Sequence, residues 1–248
     1  MEKQSQILNI PTAIIIAGAI VAGAIIWTLK PAPGSNSALV PAGSQMESLK
    51  PVTATDHILG NPNAKIKIVE YSDPSCPFCK MFHTTMRKIM DEYGPTGNVA
   101  WVYRHFPIDQ PGSRPDGGIL HPNAGHEAQA LECAASLGGN DKFWAYTNEL
   151  YDTTPSVTNT TPDGLDQDEL PVIAKNVGLD VNAFTTCLAS GKFKEKVTQE
   201  YTDGLNIGIE GTPTSFLITP AGKIISFTGA QDYSTLKQSI DALLASNE

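Results

Sequence analysis

Basic residues are scarce in this chain: 17 lysines and arginines stand against 26 aspartates and glutamates among 248 residues, for a net charge of -9. They form no stripe. That excludes nucleic acid as a partner, because counterion release by Lys and Arg supplies most of the affinity for polyanions. Cysteine is sparser still, with two of the four in a single CxxC at Cys76 and Cys79 and two standing alone at Cys133 and Cys187, which rules out a small disulfide-dense scaffold. There is no second CxxC or histidine pair to complete the four ligands of a structural zinc. No stretch repeats. Asp163, Asp166, Asp168 and Glu169 lack the alternating spacing of a calcium loop and read instead as partners of a helix start. What is present is a chain with 41% hydrophobic residues, too apolar for a disordered acidic tail.

Its apolar residues are unevenly spread. The run PTAIIIAGAIVAGAIIWTL, residues 11–29, carries no charge, and about 18 helical residues span roughly 27 Å, close to the hydrocarbon core of a bilayer. A signal peptide has a shorter core and a small-x-small cleavage site, and Trp27 near the end of this run suits a membrane interface. The run is therefore expected to be an uncleaved anchor following a short tail at residues 1–10. Residues 30–51, rich in Pro, Gly and Ser, read as a flexible tether. Three lysines and two glutamates before residue 51 leave the rest with a charge of -10. Residues 52–248 form the expected folded domain, long enough for its own core.

Within it, strand and helix signals alternate. KIKIVEY at 65–71 and NVAWVYRHF at 98–106 are β-branched and aromatic. Between them a helix is expected from Cys76 to about Tyr93, with Pro77 in its first turn, Phe82, Met86, Ile89 and Met90 at helical spacing, and Gly94 as its stop. Strand, helix, strand implies a parallel pair. Several helices interrupted by LGGND and TTPSVTNTTPDG fill an insertion at about 120–203. A strand, a reversal at Pro220–Lys223, a second strand and a closing amphipathic helix follow. The expected class is α/β with an inserted helical subdomain.

Cys76-Pro77-Phe78-Cys79 follows a strand and opens a helix, and that context carries chemistry. Unpaired N–H groups and the helix dipole favour a thiolate at Cys76, the expected nucleophile, and Cys79 one turn later can resolve a mixed disulfide by attacking it. His83 extends the pair to Cys-x2-Cys-x3-His, which leaves a metal-binding module as the competing reading. Glu70, six residues before Cys76, is a candidate proton relay to Cys79 if it points inward, where burial would raise its pKa; pointing outward it is a solvated strand glutamate. In EGTPTSF, a cis bond between Thr212 and Pro213 would leave the Thr212 backbone free to pair with an extended substrate, whereas a trans proline would be an ordinary turn. His105, His121 and His126 fall on separate elements, and nothing in their spacing argues for a shared metal. Asn159-Thr160-Thr161 satisfies a glycosylation sequon.

The segments IKIVEYSDPSCPFCKMF, VYRHFP, LECAASLGGNDKFWAY, FTTCLASGKF and GIEGTPTSFLI, in that order, resemble the DsbA family of extracytoplasmic thiol-disulfide oxidoreductases, across almost all of residues 52–245. The resemblance implies a thioredoxin-like fold with a helical insertion, Cys76 attacking, Cys79 resolving, Glu70 as the buried acid, and Thr212 with cis Pro213 facing substrate. Pro77 and Phe78 then tune the redox potential. Strongly oxidising members carry Pro-His between the cysteines, so Phe78 removes their thiolate-stabilising imidazole and leaves the potential open; His83 lies one turn beyond Cys79, where it either lends partial charge or packs as an ordinary helix histidine. Cys133 and Cys187 match positions that look paired in relatives of similar layout. Such a bridge would stabilise by about 4 kcal/mol in the chain-entropy model; two buried free cysteines are the other reading. A bridge places the domain outside the cytoplasm and the N-terminus inside. The expectation is therefore a single-pass membrane protein of the cell envelope that forms or exchanges disulfides in exported, cysteine-containing proteins. It is regenerated by a membrane thiol oxidase and needs no metal or cofactor, with a reductase or isomerase as the alternative on the same fold.

Overall fold

The computed structural model describes residues 49–155 and 164–246, together with the backbone of Val40 and Pro41. The expected anchor at 11–29, the sequon at 159–161 and Asp163 lie outside the described residues; among those described, no helix is long and apolar enough to cross a membrane.

A six-stranded sheet organises the domain. Its strands are β1 (Val40–Pro41), β2 (His57–Gly60), β3 (Ile66–Ser72), β4 (Val99–His105), β5 (Thr214–Ile218) and β6 (Ile224–Thr228), in the order β1-β6-β5-β3-β4-β2. β3 and β4 pair in parallel, as their helical crossover requires, and every other pair is antiparallel. The crossover is α1 (Pro77–Tyr93), whose Phe82, Met86 and Ile89 pack fully buried against Ile66, Ile68 and Trp101 of the sheet. Gly94 does not reverse the chain: it keeps a right-handed conformation and begins a 3-10 turn, and the left-handed residue is Gly97, φ 69°.

Between β4 and β5 lies the helical insertion: α2 (Ala124–Thr153), α3 (Glu169–Asn176), α4 (Val181–Ala189) and α5 (Lys194–Asn206). The LGGND break appears as a kink inside α2, where Gly139 takes φ 74°, a conformation that side chains with a Cβ resist. Helix α6 (Tyr233–Ser246) closes the fold and contributes Leu236 and Ile240 to the core shared with α1. Val69, Tyr71, Val102 and Phe216 point the other way and meet Phe106, Ile207 and Ile209 in a second cluster. This is the period-two alternation of a sheet covered on both faces.

The stretch read as a tether is partly drawn into the fold. Val40 and Pro41 pair with Ser226 and Ile225 at a sheet edge, where a proline without an N–H is tolerated. Leu49 is buried in the second cluster, and the guanidinium of Arg104, itself buried, donates to the carbonyls of Lys50 at 3.0 Å and Pro51 at 3.1 Å and to Asp56 Oδ1 at 2.8 Å.

Candidate active site

Where β3 ends, Asp73 to Ser75 turn the chain and deliver Cys76 to the N-cap of α1. Cys76 keeps an extended conformation, φ -77° and ψ 125°, and Pro77 occupies the first helical turn where no donor is needed. The Lys80 N–H donates to the Cys76 carbonyl at 3.1 Å, the first bond of the helix. Cys76 and Cys79 are both free thiols. They are not equivalent. Cys76 lines a groove and donates to the carbonyl of Thr212 at 3.6 Å, whereas Cys79 is wholly enclosed and accepts from the Asp73 N–H at 3.4 Å. The hydrogen bond from the Cys79 thiol, helped by the Cys79 N–H, outweighs burial and brings the Cys76 pKa down to about 6. Burial pushes the Cys79 thiol up, and the neighbouring charges of Cys76, Glu70 and Asp73 push it further.

Glu70 points inward. It shares a face of β3 with Ile66 and Ile68, is 1% exposed, and accepts a hydrogen bond from Trp101 Nε1 at 2.9 Å. Burial raises its pKa to about 7 against the lowering effect of hydrogen bonds from Ser72 and Trp101. A carboxyl of that pKa, close enough for its charge to act on Cys79, can hold or release a proton near neutrality.

The bond between Thr212 and Pro213 is cis. Pro213 is held by its carbonyl, which accepts from Gly229 N at 2.7 Å, and Thr214 Oγ1 donates to the Gly211 carbonyl at 2.7 Å. Thr212 thereby stands beside Cys76, its carbonyl 3.6 Å from the sulfur, and both line a groove of about 470 Å³ walled also by Pro77, Phe78, Ile108, Leu120 and Pro122. Phe78 is 58% exposed, so the residue between the cysteines offers an apolar surface rather than a charge.

His83 is a packed residue. It is 2% exposed, its Nε2–H donates to Asn148 Oδ1 at 2.7 Å, its ring lies against Trp101 and Tyr151, and burial lowers its pKa to about 4. It carries no charge near neutrality. Among the described residues no group of three or more His, Cys, Asp or Glu side chains is placed to hold a metal ion. Cys133 of α2 and Cys187 of α4 form a disulfide with Cα atoms 5.9 Å apart, tying two insertion helices together.

Four residues at the site escape a reading of the sequence for function. Asp73 is fully buried and accepts from the N–H groups of Ser75 at 2.8 Å and Ile108 at 2.7 Å and from His121 Nδ1 at 2.8 Å. Ser75 Oγ donates to Glu127 Oε2 at 2.7 Å, and burial raises the Glu127 pKa to about 7. The sequence places His121 and Glu127 about 50 positions from the dithiol, and only the return of the insertion over the site brings them to it.

A dithiol at a helix N-terminus, a buried carboxyl behind it and a cis proline in front define the site of a thioredoxin-fold protein. The chain matches the family model described as Thioredoxin over residues 52–242, and it belongs to that family. Among curated relatives, the Na(+)/H(+) antiporter NhaA 1 of Mycolicibacterium gilvum is 28% identical over 206 residues, which are 82% of this chain and 30% of the antiporter. The chain thus spans less than a third of that relative's length. The probable disulfide bond formation protein D of Bacillus anthracis is 26% identical over 194 residues, 76% of this chain and 78% of that protein. Two solved structures share the architecture: alpha-DsbA1 of Wolbachia pipientis, with a TM-score of 0.66 at 23% identity over 82% of this chain and 98% of that one, and oxidised BdbD of Bacillus subtilis, with a TM-score of 0.62 at 21% identity over 77% and 93%. The fold is a DsbA-like thioredoxin fold with a helical insertion.

Proposed function

We propose that this protein is a thiol-disulfide oxidoreductase that donates disulfides to exported proteins, held at the cell membrane by residues 11–29 with its dithiol domain on the extracytoplasmic side. The observation that carries the reading is the asymmetry of the dithiol: Cys76 faces the groove with its pKa lowered to about 6, and Cys79 is enclosed with its pKa raised. In the oxidised enzyme, a substrate thiolate seated along Thr212 attacks the Cys76 sulfur. The bond between Cys76 and Cys79 breaks, and the electron pair leaves on Cys79, which takes a proton from the Glu70 carboxyl. A second substrate thiolate then attacks its partner sulfur in the mixed disulfide and expels Cys76 as a thiolate. Two electrons have moved from substrate to enzyme. A membrane thiol oxidase removes them and restores the disulfide.

The helix N-terminus and the Cys79 hydrogen bond stabilise the Cys76 thiolate, which favours the reduced enzyme and makes the oxidised form the electron acceptor. This supports oxidation over reduction or isomerisation. His83, turned toward Asn148, is not placed as the third ligand that the metal-delivery reading needs. Ion antiport is not carried over from relatives of which this chain covers 30%.

Equilibration with glutathione, following Cys133 and Cys187 separately by mass, tests the direction: a potential near about -120 mV is expected of a disulfide donor, and one near about -270 mV would make it a reductant. In parallel, Cys79→Ala is expected to trap substrate on Cys76 as a stable mixed disulfide; failure to trap any would remove Cys79 from the resolving role.

A further inference from the structure

The carboxylates nearest the dithiol, Glu70 and Asp73, work against a thiolate. Glu70 lies behind it, Asp73 forms the turn before it, and Glu127 reaches it through Ser75. Glu210 adds a fourth acid on the groove wall. Among the described residues that line the groove, the basic side chain is His121. Its Nδ1 is 2.8 Å from Asp73 Oδ2, with the histidine 14% exposed and the aspartate fully enclosed. The backbone fixes the same approach, since the His121 N–H donates to the Ile108 carbonyl at 3.1 Å while the Ile108 N–H donates to Asp73 at 2.7 Å.

We infer that His121, oriented by Asp73, is the cationic partner of the Cys76 thiolate, a redox-tuning group supplied from the loop before the insertion rather than from the CxxC helix. The nucleophile and the buried carboxylate stand three residues apart in one turn, where the Cys76 N–H donates to the Asp73 carbonyl at 3.1 Å, and the imidazole is brought to them from the loop before α2. Burial opposes a charge on His121, but the hydrogen bond and charge of Asp73 overcome that cost, with further contributions from Cys76 and Glu127, and the His121 pKa is raised. Because the coupling of two sites is reciprocal, the thiolate that holds a proton on His121 is itself stabilised by that proton. The inference deepens the proposed function and rests on Cys76 being the groove-facing, attacking thiol of that reading.

The test is a pair of titrations on the full chain. The ring signals of His121 are followed by NMR against pH with the dithiol reduced and then oxidised, and the Cys76 thiolate is followed by its absorbance at 240 nm in the wild type and in His121→Gln. Oxidation removes the thiolate charge, so the His121 midpoint is expected to fall by about one pH unit. His121→Gln loses the charge, and the Cys76 midpoint is expected to rise by a similar amount, to about 7. That shift weakens the reduced form about fivefold at pH 7 in the glutathione equilibrium, about 20 mV at 30 mV per tenfold. Either midpoint staying within about 0.2 pH unit overturns the inference. If His121→Gln does not fold, the two titrations of the unaltered chain decide alone. Both read the charge on Cys76 and not turnover, so a protein that fails to oxidise substrates would refute the proposed function and leave this result standing.

Discussion

Glu70→Gln should stabilise the protein, and only above a definable pH. The glutamate is enclosed among core residues and its pKa is raised from 4.5 to about 7, chiefly by burial. Between those values the unfolded chain releases the proton while the native state keeps it, so the unfolded state binds fewer protons and stability falls as pH rises. The loss begins near pH 4.5 and is complete above about pH 7, where 2.5 pH units at about 1.4 kcal/mol each amount to about 3 kcal/mol. Glutamine has the same shape, can still accept from Trp101 Nε1, and cannot ionise. The variant should therefore differ from the wild type by a constant at pH 4 and gain about 3 kcal/mol on it by pH 8. Glu127, raised by burial in the same way, is present in both proteins and cancels. Urea unfolding with Cys76 and Cys79 kept as free thiols and the Cys133–Cys187 bridge intact, at pH 4, 6 and 8, measures the difference. A gap that changes by less than about 1 kcal/mol across that range would mean that Glu70 is not buried as a neutral acid, and the proton relay to Cys79 would fall with it.

Three other expectations concern different parts of the molecule. With Cys76 ionising at about 6 and Cys79 held well above its usual range, reduction takes up two protons below about pH 6 and one above it; the dithiol potential should fall by about 59 mV per pH unit in the acid range and about 30 mV per pH unit from pH 6 to 8. A slope of 59 mV throughout would show Cys76 protonated at neutrality. Replacing Cys133 and Cys187 together by alanine removes a bridge over 54 positions and should lower unfolding stability by up to about 4 kcal/mol, read from the urea midpoint, with the 240 nm titration of Cys76 unmoved. Gly204→Ala in α5 would place a Cβ 2.5 Å and 2.7 Å from the Phe106 ring and 3.2 Å from Tyr71. Overpacking against those buried rings, about 1–3 kcal/mol, exceeds the helix propensity gained, about 1 kcal/mol, so Tm should drop rather than rise.

The parts of this site that can be read from the sequence are those whose chemistry is local. Cys76 and Pro77 announce a helix start because both residue types have physical reasons to sit there, and Glu70 stands out because β-branched alternation around it assigns it a face. His121, Asp73 and Glu127 carry no such signal: an acid in a turn, a histidine before a proline and a glutamate at the start of a helix each have an ordinary solvated explanation. Their partners are set by how α2 returns over the end of β3, a contact between positions 52 apart in the case of Ser75 and Glu127. Strand β2 is missed for a related reason. Four residues, HILG, are too short to show a period, and the strand exists because β4 offers it an edge, pairing His57 with Tyr103. The reversal after α1 falls at Gly97 and not at Gly94 because Pro95 and Thr96 continue the chain in a tighter helical turn before a left-handed residue is required.

The burial of acids beside a thiol pair follows from what the pair must do in two oxidation states. In the disulfide no thiolate exists, and Glu70 faces an uncharged neighbour; on reduction Cys79 acquires a proton and Cys76 a negative charge, which raises the Glu70 pKa further. The same carboxyl is thus a better proton donor before Cys79 leaves than after Cys76 has become a thiolate. Electron arrival at the dithiol then tightens the proton on Glu70, and electron removal loosens it. A relay with that sign moves its proton in step with the electrons in either direction, so the physiological direction must be set by the stability of the Cys76 thiolate and by the partner that resets it. Phe78, Thr212 and His121 line the groove beside Cys76, within reach of whatever docks there.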